Sequence, residues 1–214
     1  MNLVEIVESS FEKADKCDSK IDFYIRLMQG MTGLKTRHFY NNLGSHDCIR
    51  YLEIGSWTGS SICSFMKGNK TRCVCIDNWS EFEGPKEIFM LHFNEYKGDN
   101  DATFIESNCW DVDAKTLGKF NMYMYDAAHD EESHYKALSH FMECLEDEFI
   151  YIVDDWNVEH IRKGTEDALL SNNLEVIYKK EVFTDKNPGA QHGVNINDWH
   201  NGIVVYVLRK LSNA

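Results

Sequence analysis

From residue 49 onward, short apolar runs alternate with longer stretches whose apolar positions recur at helical spacing. The runs are IRYLEI (49–54), RCVCI (72–76), ATFIE (102–106), FNMYMY (120–125), FIYIV (149–153), LEVIYKKEVF (174–183) and GIVVYVL (202–208), which makes seven candidate strands. Runs of this length bounded by polar turns read as strands buried on both faces. Helix-length segments between them return the chain to the same end of a parallel sheet. The clearest helix is DEESHYKALSHFMECLED, where Tyr135, Leu138, Phe141, Met142 and Leu145 fall at helical spacing. Asp130 suits its N-cap, and Glu131 and Glu132 suit the positive end of its dipole. A loop, TDKNPGAQHGVNINDWHN, joins the last two strands, so an antiparallel pair at the sheet edge is expected there. The pattern predicts one α/β domain over residues 1–214. Helices in 1–45 would cover a doubly wound, mostly parallel sheet spanning 49–209 and closed by a C-terminal antiparallel hairpin.

Composition narrows the partners. A net charge of −13 and few clustered Lys or Arg argue against a nucleic-acid backbone or an anionic membrane as partner. Seven cysteines form an odd set without a C-x-x-C pair, which fits neither a disulfide framework nor a zinc ribbon, and they read as small buried side chains in a reducing compartment. The N-terminus carries acids where a signal peptide would carry bases, and no apolar run reaches the length of a membrane span, so a cytoplasmic protein is expected, or one in a host cytoplasm if the source is viral.

In an open α/β sheet, ligands bind beyond the C-terminal strand ends, near the point where strand order reverses. The first such turn, YLEIGSWTGSS, is an E-x-G-x-x-x-G pattern built on Glu53, Gly55 and Gly59. Glycines there let a ligand lie against the backbone, although a tight turn alone would also use them. Asp77 ends the next strand, where a carboxylate can accept from both hydroxyls of a ribose. The dinucleotide fingerprint G-x-G-x-x-G is absent, which argues against a dehydrogenase. FIYIV runs into two adjacent acids, Asp154 and Asp155, and FNMYMY ends at Asp126. Capping of the next helix or simple solvation would explain paired acids, but three carboxylates converging on one cleft need a cation or a proton between them.

Residues 49–209 resemble the class I S-adenosylmethionine-dependent methyltransferases, with their Rossmann-like fold, on the strength of Glu53 to Gly59, Asp77 and the strand order. The resemblance assigns cofactor binding to Glu53, Gly55, Ser56, Gly59, Asp77 and Asn78, with Asn108, Cys109 and Trp110 beside the adenine. YMYDAAHDEESHYKAL followed by FIYIVDDW is similar to the metal-dependent sugar O-methyltransferases close to the macrocin O-methyltransferase and methyltransferase family 24 groups. That implies a divalent cation, Mg²⁺ or Mn²⁺, on Asp126, Asp154 and Asp155, since oxygen ligands suit these ions. His129, three residues after Asp126, is the implied general base, because the alternative acidic position holds Ala128.

The acceptor this implies is a vicinal diol of a sugar or glycan, with a catechol-like small molecule as the alternative. Candidate acceptor contacts are Trp156, His192, Trp199 and His200, together with Arg37 from a segment where Gly30 and Gly33 would permit a lid and Lys35 and His38 could also reach the site. A metal-dependent hydrolase or a non-catalytic binding module on a similar fold stays open, as does a homo-oligomer covering the apolar N-terminal segment.

Overall fold

A computed structural model describes residues 2–184 and 197–211. Its seven strands are β1 (Arg50–Ile54), β2 (Arg72–Asp77), β3 (Asp101–Glu106), β4 (Phe120–Tyr125), β5 (Leu145–Asp154), β6 (Leu174–Val182) and β7 (Ile203–Lys210), in the order β3-β2-β1-β4-β5-β7-β6. Neighbours among the first five are parallel, and β7 runs antiparallel between β5 and β6. The hairpin therefore inserts its second strand into the sheet and leaves β6 at the edge. Strand order reverses between β1 and β4, which is where such a sheet opens a crevice.

Helices cover both faces. On one face lie α1 (Leu3–Asp15), α3 (Leu34–Gly44), α4 (Ser60–Met66) and α5 (Lys86–Lys97), whose Phe11, Phe39, Phe65 and Phe89 meet Tyr51, Met122, Ile150 and Ile152 of the sheet. On the other, α6 (Glu131–Phe141) and α7 (Glu159–Ser171) pack against Leu52, Tyr123, Tyr151 and Val153. Alternate residues of each central strand go to opposite layers, which is why those strands read as unbroken apolar runs. A short helix, α2 (Phe23–Leu27), leads from α1 toward α3. No helix among the described residues is long and apolar enough to cross a membrane.

The local pattern departs from expectation in two places. The β3–β4 link holds two short 3₁₀ turns, Cys109–Asp111 and Ala114–Thr116, with no α-helix. Asp130 does cap α6, accepting from Ser133 N at 2.8 Å, but the helix stops at Phe141, and Leu145 already belongs to β5. Its buried face is His134, Ala137, Leu138 and Phe141, while Tyr135 is exposed. Leu138 and Phe141 face inward as the spacing indicates, and His134 and Ala137 complete that face in place of Tyr135.

The turn after β1 is locked to β4. Asp126 N donates to Ile54 O at 2.8 Å, and Gly55, at φ 86°, lies so close that an added Cβ would sit 2.0 Å from the Asp126 carbonyl oxygen. The glycine is required by this backbone approach. Gly55→Ala combines left-handed strain with a clash against immobile backbone and should cost more than about 2 kcal/mol in urea unfolding. A loss below roughly 0.5 kcal/mol, within the range of a neutral surface change, would contradict this packing.

Candidate active site

A cavity of about 440 Å³ opens over the C-terminal ends of β1 to β5, within the usual size for a small-molecule site. Its first wall is the β1 turn. Ser56 N and Trp57 N donate to Asp77 Oδ2 at 2.7 and 2.8 Å, and Trp79 N donates to Asp77 Oδ1 at 2.7 Å. One carboxylate thereby ties the end of β2 to the turn after β1, with Gly55, Ser56, Asp77 and Asn78 all on the cavity surface. Gly59, at φ 87°, starts α4 behind this wall. Glu53 lies beneath it, fully buried, and accepts from Tyr51 Oη at 2.6 Å and Ser56 Oγ at 2.7 Å. Burial pushes its pKa up to about 7 against those donors. Neither Glu53 nor Gly59 lines the cavity; both support the turn from behind.

The facing wall is formed by Asn108, Cys109 and Trp110 after β3. Asn108 Oδ1 accepts from Trp110 N at 3.1 Å and fixes the loop. Burial pushes the Cys109 thiol up to about 11, so it is uncharged at neutral pH.

At the far end, the strand ends of β4 and β5 bring three acids and a histidine together. His129 Nε2 lies 3.0 Å from Asp155 Oδ2 and 3.5 Å from Asp126 Oδ1. Hydrogen bonds to Asp126 and Asp155 outweigh burial and push the His129 pKa up to about 11. Burial works to raise Asp155, but the His129 hydrogen bond and charge and the Asn201 amide bring it below the ordinary value. Asp154 is buried, with Oδ1 lacking a partner among the described residues, and burial followed by repulsion from Asp126 and Asp155 pushes its pKa well up. Burial also raises Asp126 against the pull of His129. The repulsion among three acids is relieved by the His129 imidazolium between two of them, and burial drives Asp154 toward its uncharged form.

Asp154 and Asp155 do not cap α7, whose N-cap is Val158 with no side-chain bond. Among the described residues, the atoms able to share a metal ion are those of Asp126, His129 and Asp155, all within 4.8 Å of one another. Of the expected trio Asp126, Asp154 and Asp155, Asp154 falls outside this group, and the group contains a nitrogen donor instead. Two acids and an imidazole fit a divalent cation chemically.

The acceptor-side expectations divide. His200 lines the cavity, whereas His192 lies outside the described residues. Trp156 is core: it is fully buried and donates to Glu181 at 2.9 Å. Trp199 is core as well, with its ring 5.1 Å from Phe11 and 5.9 Å from Phe39. Arg37 is spent on the carbonyl oxygens of Ile25, Met28 and Thr32 at 2.6 to 3.0 Å, and holds the α2–α3 loop. Lys35 pairs with Asp15 and Asp198, and His38 bonds Ser19. Gly30 and Gly33 allow close packing in place of a lid, since a Cβ would meet Ser60 Oγ at 2.2 Å or Asp198 O at 2.3 Å. Lining residues that the sequence reading passed over include Met31, Thr32, Trp57 and Phe82. Phe82 stands edge-on to His129 with centroids 6.0 Å apart, and its carbonyl accepts from Trp57 Nε1 at 3.0 Å. Position alone, inside or just beyond a strand-end turn, was the available signal for Trp57 and Phe82.

Residues 52–156 match a family model described as a methyltransferase domain (Methyltransf_24). No curated protein matches the sequence. In three dimensions the chain is similar to an O-methyltransferase from Bacillus cereus in complex with SAH, at TM-score 0.60 and 11% identity, covering 96% of this chain and 91% of that one. It is also similar to an SAH-bound methyltransferase from Podospora anserina, at TM-score 0.60 and 12% identity, covering 97% and 88%. A protein of Streptococcus mutans described as a SAM-dependent methyltransferase matches at TM-score 0.56 and 12% identity over 82% of this chain, which spans 48% of its length. The fold is the Rossmann-like fold of these methyltransferases. The family model covers somewhat under half of the chain, and the solved structures, at 11 to 12% identity, show its fold.

The His129 pairing has a direct readout. In cation-free protein, NMR should find this imidazole still protonated at pH 8, and Asp155→Asn should bring its pKa down by more than about one unit toward the ordinary 6.5. Because the shift is upward, the pairing stabilises the fold fully below pH 6.5 and that contribution is lost as pH rises through about 11. A His129 that titrates near 6.5 in the unsubstituted protein would contradict the arrangement.

Proposed function

We propose that this chain is an S-adenosylmethionine-dependent O-methyltransferase acting on a hydroxyl of a sugar or glycan. The observation that carries this reading is the layout of one cavity, with Asp77 and the glycine turn at one end and His129 between two carboxylates at the other. Asp77 keeps acceptor capacity beyond its three backbone bonds and faces the space where ribose hydroxyls would donate. Cys109 and Trp110 offer an apolar slot for a flat base. Methyl transfer needs little more from the protein than alignment of donor and acceptor and removal of the hydroxyl proton.

His129 is the residue for that proton, oriented by Asp155 as histidine bases are by carboxylates. In the arrangement observed, the carboxylates keep the ring protonated at neutral pH, so its basic form requires positive charge to be supplied near Asp126 and Asp155. Asp126 and Asp155 are the residues that would hold a divalent cation, Mg²⁺ or Mn²⁺, with His129 beside it as the base and not a ligand; the ion's chemistry would be to supply that charge and to acidify a bound hydroxyl. The sulfonium of the methyl donor is the other source of positive charge. Phe82, exposed beside His129, offers an apolar face that a sugar ring or a catechol could lie against. A metal-dependent hydrolase would leave the bond between Asp77 and the glycine turn without a purpose.

Calorimetry should detect binding of S-adenosylhomocysteine, with Asp77→Ala weakening it at least tenfold, about 1.4 kcal/mol. No binding at millimolar ligand would overturn the reading. Against a panel of sugar diols and catechols, His129→Ala should lower kcat about 10²- to 10⁴-fold with little change in homocysteine-ligand affinity. Activity that survives EDTA unchanged would assign the positive charge to the methyl donor.

A further inference from the structure

The acids at the end of β5 are held by a segment more than forty residues away in sequence. Asn201 Nδ2 donates to Asp155 Oδ1 at 2.8 Å, which leaves Oδ2 for His129. The orientation of that amide is fixed by its other end. Asn201 Oδ1 accepts from Asn157 Nδ2 at 3.2 Å, and Asn157 Nδ2 also donates to Thr184 Oγ1 at 2.9 Å. Thr184 N donates back to Asn157 Oδ1 at 3.2 Å, and Thr184 Oγ1 donates to His200 O at 2.7 Å. Each donor meets an acceptor in this circuit, so the Asn201 amide group can only present its NH₂ to Asp155. Main-chain bonds run alongside, from Trp156 N to Gly202 O and from Asn157 N to Asn201 O. Gly202, at φ 87°, has no room for a side chain, since a Cβ would meet Asn157 Oδ1 and Val182 O at 2.8 Å.

Asp155 itself needs holding. Its φ of 54° is a left-handed conformation that non-glycine residues seldom adopt unless surrounding contacts impose it. The 197–202 segment is in turn pinned from the N-terminal side. Trp199 is wedged against Phe11 and Phe39, Lys35 N donates to Asp198 O at 2.9 Å, and Gly33 lies flush against Asp198 and His200.

We propose that Asn201 is the positioning residue for Asp155, and through it for the His129 side chain, so that the segment clamped by the N-terminal helices forms one side of the catalytic centre. The catalytic meaning of that position rests on the methyltransferase reading; the positioning does not. Removing the donor frees Asp155 Oδ1 to turn, which loosens the His129 hydrogen bond. Converting it to an acceptor places two carboxylate oxygens against each other and does so more strongly.

The test uses the full chain in EDTA and the side-chain ¹H–¹⁵N signal of the His129 ring, assigned by its disappearance in His129→Gln. The unsubstituted protein should give a downfield, slowly exchanging Nε2–H. Asn201→Ala and Asn201→Asp, checked as folded by circular dichroism, should lose this signal or exchange it at least about tenfold faster. An unchanged signal in either folded variant, or none in the unsubstituted protein, would overturn the proposal. A residue that merely filled space would leave the signal in place in Asn201→Asp, which has nearly the same shape. Calorimetry with S-adenosylhomocysteine on the same samples separates the two ideas: failure of the unsubstituted protein to bind it would sink the methyltransferase reading while the His129 signal still decides the role of Asn201.

Discussion

The constraint on which this site depends is the repulsion among carboxylates that the sheet forces together. Parallel strands deliver Asp126 from β4 and Asp154 and Asp155 from β5 to neighbouring positions on one rim, and burial makes their mutual repulsion expensive. The structure meets that cost with His129, whose ring sits between Asp126 and Asp155, while burial drives Asp154 toward its uncharged form. Such a centre responds to positive charge. On the proposed function, a cation or sulfonium arriving in the cavity would compete with the proton on His129 and so couple ligand binding to the formation of a base.

The rest of the fold can be read as what brings this rim to a cofactor-sized cavity and holds it there. The reversal of strand order puts the β1 turn beside β4, and Gly55 lets the two backbones touch next to Asp126. The same turn is bound to Asp77, so the end proposed for the methyl donor and the end proposed for the acceptor are separated by one rigid piece of backbone. From the other side, His160 Nε2 bonds the His129 carbonyl at 2.8 Å, and α7 thereby steadies the loop that carries the histidine. The N-terminal helices act at a distance, through Trp199 and Gly33 on the segment that reaches Asp155.

Much of this was legible in the sequence because it is encoded locally. Apolar runs and turn glycines identified all seven strands, and the strand-end rule pointed to Asp77, Asp126, His129 and Asp155, which share one cavity with His200 from the loop before the last strand. What escaped was decided by contacts distant in sequence. Trp156, Trp199 and Arg37 sit in polar, loop-like surroundings, where an aromatic or basic side chain can face either way; hydrophobic neighbours and loop carbonyls from other elements turned them inward. Adjacent acids look equivalent on paper, yet the left-handed backbone at Asp155 sends its carboxylate toward His129 while Asp154 stays buried. Asn201 was invisible for the same reason, since its partners Asp155 and Asn157 lie on a strand end that only the folded sheet brings near.

The most direct measurement is a crystal structure of the chain soaked with S-adenosylhomocysteine and Mn²⁺. The predicted result is the nucleoside end of the ligand at Asp77, its sulfur directed toward the Asp126 and His129 end, and anomalous manganese density touching Asp126 and Asp155. Ligand bound outside this cavity, or lying with its ribose away from Asp77, would contradict the claim that the carboxylate rim and the glycine turn form one methyl-transfer centre.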